Sequence, residues 1–595
     1  MVADPTEAPT EPPTEAPNAI AEPQVAVGVP DDVREVEAQL LAPGSHFALV
    51  EQQIDGRPIL AFANRTTNLR DLVAASVGFG DAEYLVETDG IHERRVTFAE
   101  HERLVASLAA EMAERYGVGK GDRVAILGAN SIDWIVSFWA TISLGAIACA
   151  LNGWWTGPEI TYGIEYTEPK LLIADRKRIA RLGGVDPRVP VLVMEDELAA
   201  IATKRPDAVL PDVPIDADDP VLILFTSGTT GRPKGAVHTH GNVGSLLSML
   251  FFQGARAAFT APPAPEGAPA APCQFMTSPL FHVAGLHTGA VMFLATGIRS
   301  VWWVGRFDPA GVAPVLERER CTGWSVTETV LHRFVHHPEV TAGNFDLSAV
   351  RTVGGGGSAI PPATQELARA VFPNAARSMG FGYGLTECTA LATTNFGQEL
   401  LDFPTSCGRP LPTVTIEIRD PEDPDGDPLP EGSEGEVWIR SPMVMHGYWR
   451  MPEETAAAVY PGGWLRTGDW GRLEGGRLYL ASRRKDLILR GGENVYPAEI
   501  EARLVEHPAV DEVAVVGVDD PELGQAVKAV VVVREGATAD ADDLHDFCAA
   551  AIAYYKVPSQ WEFRRAPLPR NAMGKLLRDA LDETADDAAR RFVEE

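Results

Sequence analysis

The stretch that most limits how this chain can fold is Leu224-Phe225-Thr226-Ser227-Gly228-Thr229-Thr230-Gly231-Arg232-Pro233-Lys234-Gly235. The apolar run Val221–Phe225 that leads into it reads as a buried strand. That strand needs a sheet around it, and its end opens into a loop of Gly, Ser and Thr with one Lys. Glycines let the backbone curl until several N–H groups converge on one point, and such a nest binds anions. The hydroxyls of Thr226, Ser227, Thr229 and Thr230 add donors, Gly228 and Gly231 supply the freedom to turn, and Lys234 adds a positive charge. The combination reads as a phosphate cradle. It is not the Walker pattern, because no Gly-Lys-Ser/Thr closes it. A glycine-rich surface turn is the bland alternative, and the density of hydroxyls beside a lysine weighs against it.

The stretch resembles the phosphate-binding signature of the adenylate-forming superfamily: acyl-CoA synthetases, luciferases and peptide-synthetase adenylation domains. The signature there is close to Tyr-Thr-Ser-Gly-Thr-Thr-Gly-x-Pro-Lys-Gly and differs here only at Phe225. Further motifs follow in family order. His282, in Phe281-His282-Val283-Ala284-Gly285, matches a position near the substrate carboxylate. Val353-Gly354-Gly355-Gly356-Gly357-Ser358 resembles a strand end that lies against adenine, which implicates Gly356, Gly357 and Ser358. A bare glycine backbone lets a flat ligand approach closely. In Gly382-Tyr383-Gly384-Leu385-Thr386-Glu387, the resemblance implies that Tyr383 stacks on adenine between Gly382 and Gly384. It implies a phosphate contact for Thr386, and Mg²⁺ on Glu387 with the hydroxyl of Thr229. A hard carboxylate suits a hard cation that neutralises a triphosphate. Asp469, in Trp464-Leu465-Arg466-Thr467-Gly468-Asp469, matches the residue that accepts the ribose hydroxyls. A solvated turn would be the default reading of that Asp if the motif stood alone.

The resemblance continues through a linker. Arg483 matches an Arg that reaches ribose or phosphate, and Lys485 a hinge residue. Ser482 stands where Gly is usual. Gly491 and Gly492 match the loop along which the pantetheine arm of CoA passes. Near the end, Pro569-Arg570-Asn571-Ala572-Met573-Gly574-Lys575 resembles the segment with the catalytic lysine, and Lys575 is the match. The implied fold is α/β: a large N-terminal domain of β-sheets covered by helices (31–482), a hinge, and a small α+β C-terminal domain (483–595). The implied substrates and cofactor are ATP, CoA, a carboxylic acid and Mg²⁺.

The remaining sequence agrees with that architecture. At 595 residues the chain is too long for a single core. Residues 1–30 are mostly Pro, Ala, Glu and Thr and are expected to be disordered. Thr97-Phe98-Ala99-Glu100 is a capping box ahead of an amphipathic run to Tyr116. Arg123–Leu127, Leu171–Ala174 and Val191–Met194 read as strands alternating with helices, the pattern of parallel sheets covered by helices. Trp134–Gly157 has no charged residue and is long enough to span a bilayer. Its Ser, Thr and Gly residues and the Asn152-Gly153 turn favour a buried helix followed by a short strand. Asn242–Phe252 reads as a helix, Ala255–Cys273 as a mobile surface loop, Val513–Val518 and Ala526–Val533 as strands, and Asp542 to about Ala553 as a helix.

The net charge of −32 argues against nucleic-acid binding and against docking on anionic membranes. Six cysteines without metal spacing, and no Lys or Arg before Arg34, point to a reduced cytoplasmic protein without a signal peptide. A homodimer is left open. Glu328 is unusual, because relatives more often read Val-Pro-Thr-Met around it. Lining the acyl pocket, it would favour a polar or cationic group, since an unpaired buried carboxylate is costly; facing solvent, it would mean nothing. Three functions stay in view: a carboxylate–CoA ligase for a fatty or otherwise apolar acid, an adenylating enzyme that serves a carrier protein or another acceptor, and a silent binding protein that keeps the fold.

Overall fold

The computed structural model describes residues 31–226, 233–260, 271–357, 360–483, 486, 488–490, 493–520, 523–552, 554–571 and 576–581. The expected disordered tail, residues 1–30, lies outside them.

The strand Pro220–Thr226 sits inside a seven-stranded sheet. Val221–Leu224 are at most 1% exposed, because helices cover both faces and a continuous apolar run is needed there. On one side Ile147–Ala150, Arg123–Leu127, Leu171–Ala174 and Val191–Val193 continue the sheet in parallel. On the other side the strand Lys234–Thr239 turns back antiparallel, and Gly447–Tyr448 pairs with it. A second sheet has nine strands. Its parallel centre includes Cys273–Met276, Gly323–Val326, Thr352–Gly356 and Met379–Tyr383. A third, antiparallel sheet contains Gly435–Arg440, Trp464–Glu474 and Arg477–Arg483. A smaller C-terminal sheet is built on the long pair Val510–Asp520 and Gly524–Val533, with the helices Pro497–Val505 and Ala541–Ala549 beside it. The architecture is therefore mixed α/β, with a large sheet-rich N-terminal domain and a smaller C-terminal one.

Local chemistry sets the element ends. The helix Phe98–Tyr116 starts on the expected capping box: the Thr97 side chain accepts from the Glu100 N–H, and the Glu100 carboxylate accepts from the Thr97 N–H. It stops at Gly117 in the left-handed conformation, φ 65°. Trp134–Gly157 forms the end of a buried helix, Ile132–Ser143, and then the buried strand Ile147–Ala150. Among the described residues no helix is long and apolar enough to cross a membrane.

Three expectations need correction. The strand Lys234–Thr239 has no counterpart in the sequence reading, and the helix after it runs over His240–Thr260 rather than Asn242–Phe252. The segment read as a loop from Ala255 is thus helical to Thr260, and Cys273 opens a strand. The C-terminal helix ends at Ala549, not near Ala553. Lys234–Thr239 lacks a clean alternation, and in the other two cases an Ala-rich stretch left the boundary undefined by apolar period alone.

Candidate active site

The site lies where strand ends from different sheets meet. Thr226 and Lys234 are directly opposite each other across the antiparallel pair, so they bracket the phosphate-cradle loop at its base. The loop residues Ser227, Gly228, Thr229, Thr230 and Gly231 lie outside the described residues. So do Ser358, Lys485, Gly491, Gly492 and Lys575.

Lys234 places its ammonium 5.2 Å from the centre of the Tyr448 ring, a cation–π distance. The same tyrosine donates its hydroxyl to Glu387 Oε1 at 2.8 Å. Burial, reinforced by the Glu387 charge, pushes the Tyr448 hydroxyl pKa up, so it remains a donor. Glu387 lies in a short 3₁₀ turn, Thr386–Cys388, and its carbonyl accepts from the Met445 N–H at 2.9 Å. The lysine of the cradle and the candidate Mg²⁺ ligand therefore share one side chain.

Thr386 is held from behind. Its carbonyl oxygen lies 2.8 Å from His238 Nε2, and a carbonyl only accepts. His238 carries its proton on Nε2, which leaves Nδ1 to accept from His287 Nε2 at 3.0 Å. Burial lowers the His238 pKa to about 4, so it is neutral. His282 is also buried and neutral, its pKa lowered to about 4 by burial. Its Nε2 has no hydrogen-bond partner among the described residues.

At the candidate nucleotide face several glycines stand close to neighbouring backbone or side chains. A Cβ on Gly355 would stand 1.8 Å from the Val326 carbonyl oxygen, one on Gly356 2.6 Å from that of Gly382, and one on Gly384 1.8 Å from that of Ala390. On Gly382 it would meet Leu391 Cδ1 at 2.4 Å. These glycines let protein approach protein. Gly357 alone among them opens onto free space, at φ +92°. Tyr383 is buried and donates its hydroxyl to Asp469 Oδ2 at 2.6 Å. That bond takes one of the about four lone-pair sites of a carboxylate. Asp469 also pairs in the sheet with Arg483, of which the backbone alone is described.

Glu328 does not face open solvent: its side chain is 17% exposed. It opens the helix Glu328–Val335, and Arg570 of the C-terminal domain approaches it to 3.9 Å. Burial raises its pKa, and the Arg570 charge opposes that shift.

The donor set suits Mg²⁺. Glu387 offers a hard oxygen, and Mg²⁺ is commonly held by one or two carboxylates plus substrate phosphates rather than by an all-protein cage.

Tyr448, His238 and His287 have no signal in the sequence. Only the pairing of Gly447–Tyr448 with Ala236 and Val237 brings Tyr448 to the site, from more than two hundred residues away.

A strand-end site that joins a phosphate-cradle base, a hydroxyl-supported carboxylate and a buried Tyr–Asp pair defines a nucleotide-dependent ligase. Comparison with known proteins agrees. The family "AMP-binding enzyme" matches residues 74–449, and "AMP-binding enzyme C-terminal domain" matches residues 499–575. A feruloyl-CoA synthase from an Amycolatopsis species is 34% identical over 81% of this chain and 92% of its own length. A long-chain-fatty-acid–CoA ligase from Bacillus subtilis is 32% identical over 82% of this chain and 90% of its own. The structure of o-succinylbenzoate CoA synthetase from Bacillus subtilis, in complex with its acyl-adenylate intermediate, superposes with a TM-score of 0.70. It is 27% identical over 86% of this chain and 98% of that one. The chain belongs to the AMP-binding enzyme family and is an AMP-forming acid–thiol ligase that uses ATP, Mg²⁺ and CoA.

Proposed function

We propose that this enzyme activates a fatty or otherwise apolar carboxylic acid, with the roles divided as follows. In the first half-reaction a carboxylate oxygen attacks the α-phosphorus of ATP and pyrophosphate leaves. Catalysis here is positioning and charge neutralisation. The loop from Thr226 to Lys234 receives the departing pyrophosphate. Glu387, oriented by Tyr448, would hold Mg²⁺, whose charge offsets that of the phosphates. Asp469 and Arg483 hold the ribose, Gly356, Gly357, Ser358 and Tyr383 bound the adenine, and Lys575 contacts the α-phosphate. In the second half-reaction the CoA thiol attacks the acyl carbonyl and AMP leaves. The domain beyond residue 483 turns about Lys485, withdraws Lys575 and brings in Gly491 and Gly492 to guide the thiol. The enzyme acts in the cytoplasm.

The observation that carries the reading is the pair of bridges Lys234–Tyr448–Glu387 and Tyr383–Asp469, which join three motifs scattered over more than two hundred residues. An apolar acid is favoured because Glu328, the acidic residue of the segment expected beside the acyl group, is directed at Arg570.

The test is pyrophosphate release across saturated fatty acids, ferulate and 2-succinylbenzoate, with and without CoA, with products identified by mass spectrometry. Fatty acyl-CoA or aromatic acyl-CoA as the main product supports the reading. A preference for 2-succinylbenzoate, which bears two carboxylates, would overturn the apolar assignment. Adenylate that accumulates without reacting with CoA would point to another acceptor. Lys575→Ala should lower adenylation by at least about a hundredfold while a supplied acyl adenylate is still converted to thioester.

A further inference from the structure

We propose that Arg570 and the first turn of the helix Glu328–Val335 form an interdomain latch that holds the small domain in its acyl-adenylate-forming orientation. The inference rests on the two-half-reaction reading above.

Arg570 belongs to the C-terminal domain and is fixed there on its own side: its Nη2 and Nε lie 3.2 and 3.3 Å from Glu512 Oε2. Its Nη1 donates across the domain boundary to Thr329 Oγ1 at 3.3 Å. Thr329 Oγ1 in turn donates to Glu328 Oε2 at 3.2 Å, and Glu328 lies 3.9 Å from the guanidinium. The side chains of Glu328, Arg570 and Glu512 are 17, 21 and 16% exposed, so these charges meet in a partly desolvated seam. A guanidinium is suited to this, because its fixed fork reaches two acceptors at once.

The position of the seam gives it a consequence. Arg570 pairs antiparallel with Leu576, and Leu577 N–H donates to the Pro569 carbonyl at 2.9 Å. Residues 572–575, Lys575 among them, lie between these paired positions in the chain. On the other side of the seam, Val326 pairs with Gly355 and Gly356 with Gly382. The first turn of the Glu328 helix therefore stands at the same strand-end edge as the nucleotide face, where ligands of parallel sheets bind. Arg570, five positions before Lys575 in the chain, thus docks one strand away from the glycine strand. Rotation for the second half-reaction must break the latch, so it favours adenylation and takes no part in thiol transfer. Arg570, Thr329 and Glu328 are positioning residues in this account.

The test uses the full chain with Glu328→Gln, Arg570→Gln, the double variant and Arg570→Lys. ATP–pyrophosphate exchange reports adenylation, and thioester formation from a synthetic acyl adenylate and CoA reports transfer. Dodecanoate, ferulate and 2-succinylbenzoate are the probe acids. Loss of one charge-assisted contact should lower exchange about tenfold in Glu328→Gln and Arg570→Gln, with thioester formation unchanged. The double variant should be no worse than Arg570→Gln alone, because the two residues act as a unit. Arg570→Lys should recover part of the loss. Arg570→Gln leaves Glu512 without its arginine, holding only the Leu568 N–H among the described residues; Glu328→Gln keeps the Arg570–Glu512 pair intact and decides the matter if the former does not fold. Equal losses in both half-reactions, or no loss in either, would overturn the latch. If the wild-type chain turned over none of the acids, the apolar-acid reading would fall. The latch would then be judged on a chain with Thr329→Cys and Arg570→Cys, where a short bismaleimide should join the domains in high yield and failure to do so would refute it.

Discussion

Tyr448 touches both charged groups proposed to flank the triphosphate, Lys234 through its ring and Glu387 through its hydroxyl. Removing the hydroxyl alone separates the two contacts. Tyr448→Phe keeps the ring under Lys234 and frees Glu387 to rotate. Outer partners of metal ligands typically contribute 10- to 100-fold in metal affinity. We expect the Mg²⁺ concentration for half-maximal pyrophosphate release to rise by about tenfold, with the thermal midpoint little changed. An unchanged Mg²⁺ requirement would remove Glu387 from its assigned role. The link through Tyr448 was not legible in the chain. The candidate ligand could be read from its motif, whereas Tyr448 and His238 reach the site through sheet pairing, and His287 from the helical segment Leu286–Val291, which no local spacing announces.

Among elements, the glycine strand Thr352–Gly356 separates two reasons for lacking a side chain. Gly355 faces the Val326 carbonyl, and the same change at Gly357 meets open space but a positive φ. Gly355→Ala is expected to destabilise the fold by roughly 1–3 kcal/mol or more through overpacking. Gly357→Ala should cost about 1–2 kcal/mol of backbone strain and mainly raise the KM for ATP. Thermal melts beside ATP titrations distinguish the two, and equal effects at both positions would show that the strand is not built as described. The hinge belongs to this scale as well. Lys485→Pro should leave ATP–pyrophosphate exchange largely intact and block thioester formation, and unimpaired transfer would remove the hinge assignment. Elements with a cap or a clear apolar period, such as Phe98–Tyr116 and Pro220–Thr226, could be read from the chain almost to the residue. Lys234–Thr239 could not: Lys234-Gly235-Ala236-Val237-His238-Thr239 has no clean alternation, because its neighbours on both sides and the helices above bury it whole.

At the scale of the whole molecule, the large domain stores uncharged histidines. Burial lowers the pKa of His101 to about 3 and those of His238, His240, His282 and His332 to about 4, and that of His287 well below its ordinary value. His446 moves the other way, raised chiefly by its hydrogen bond to Asp55. The lowered group decides the sign. Each of the six is neutral when folded and takes up a proton on unfolding once the pH is below the ordinary value near 6.5. Their contribution is complete above that value and is lost as the pH falls toward 4. For each proton taken up, stability falls by about 1.4 kcal/mol per pH unit; His446 offsets one of them. Calorimetry should therefore show a nearly level thermal midpoint from pH 8 to 7 and a steep decline from 6.5 to 4.5. A midpoint that stays level to 4.5 would mean that these histidines are solvated or already paired. His101 gives the sharpest version, because neither of its ring nitrogens has a hydrogen-bond partner among the described residues and its ring packs edge-on against Tyr84 at 5.0 Å. His101→Met removes that proton without touching the site. The variant should match or exceed the wild type at pH 8 and gain on it steadily as the pH falls, and a constant difference across the range would show that His101 titrates normally.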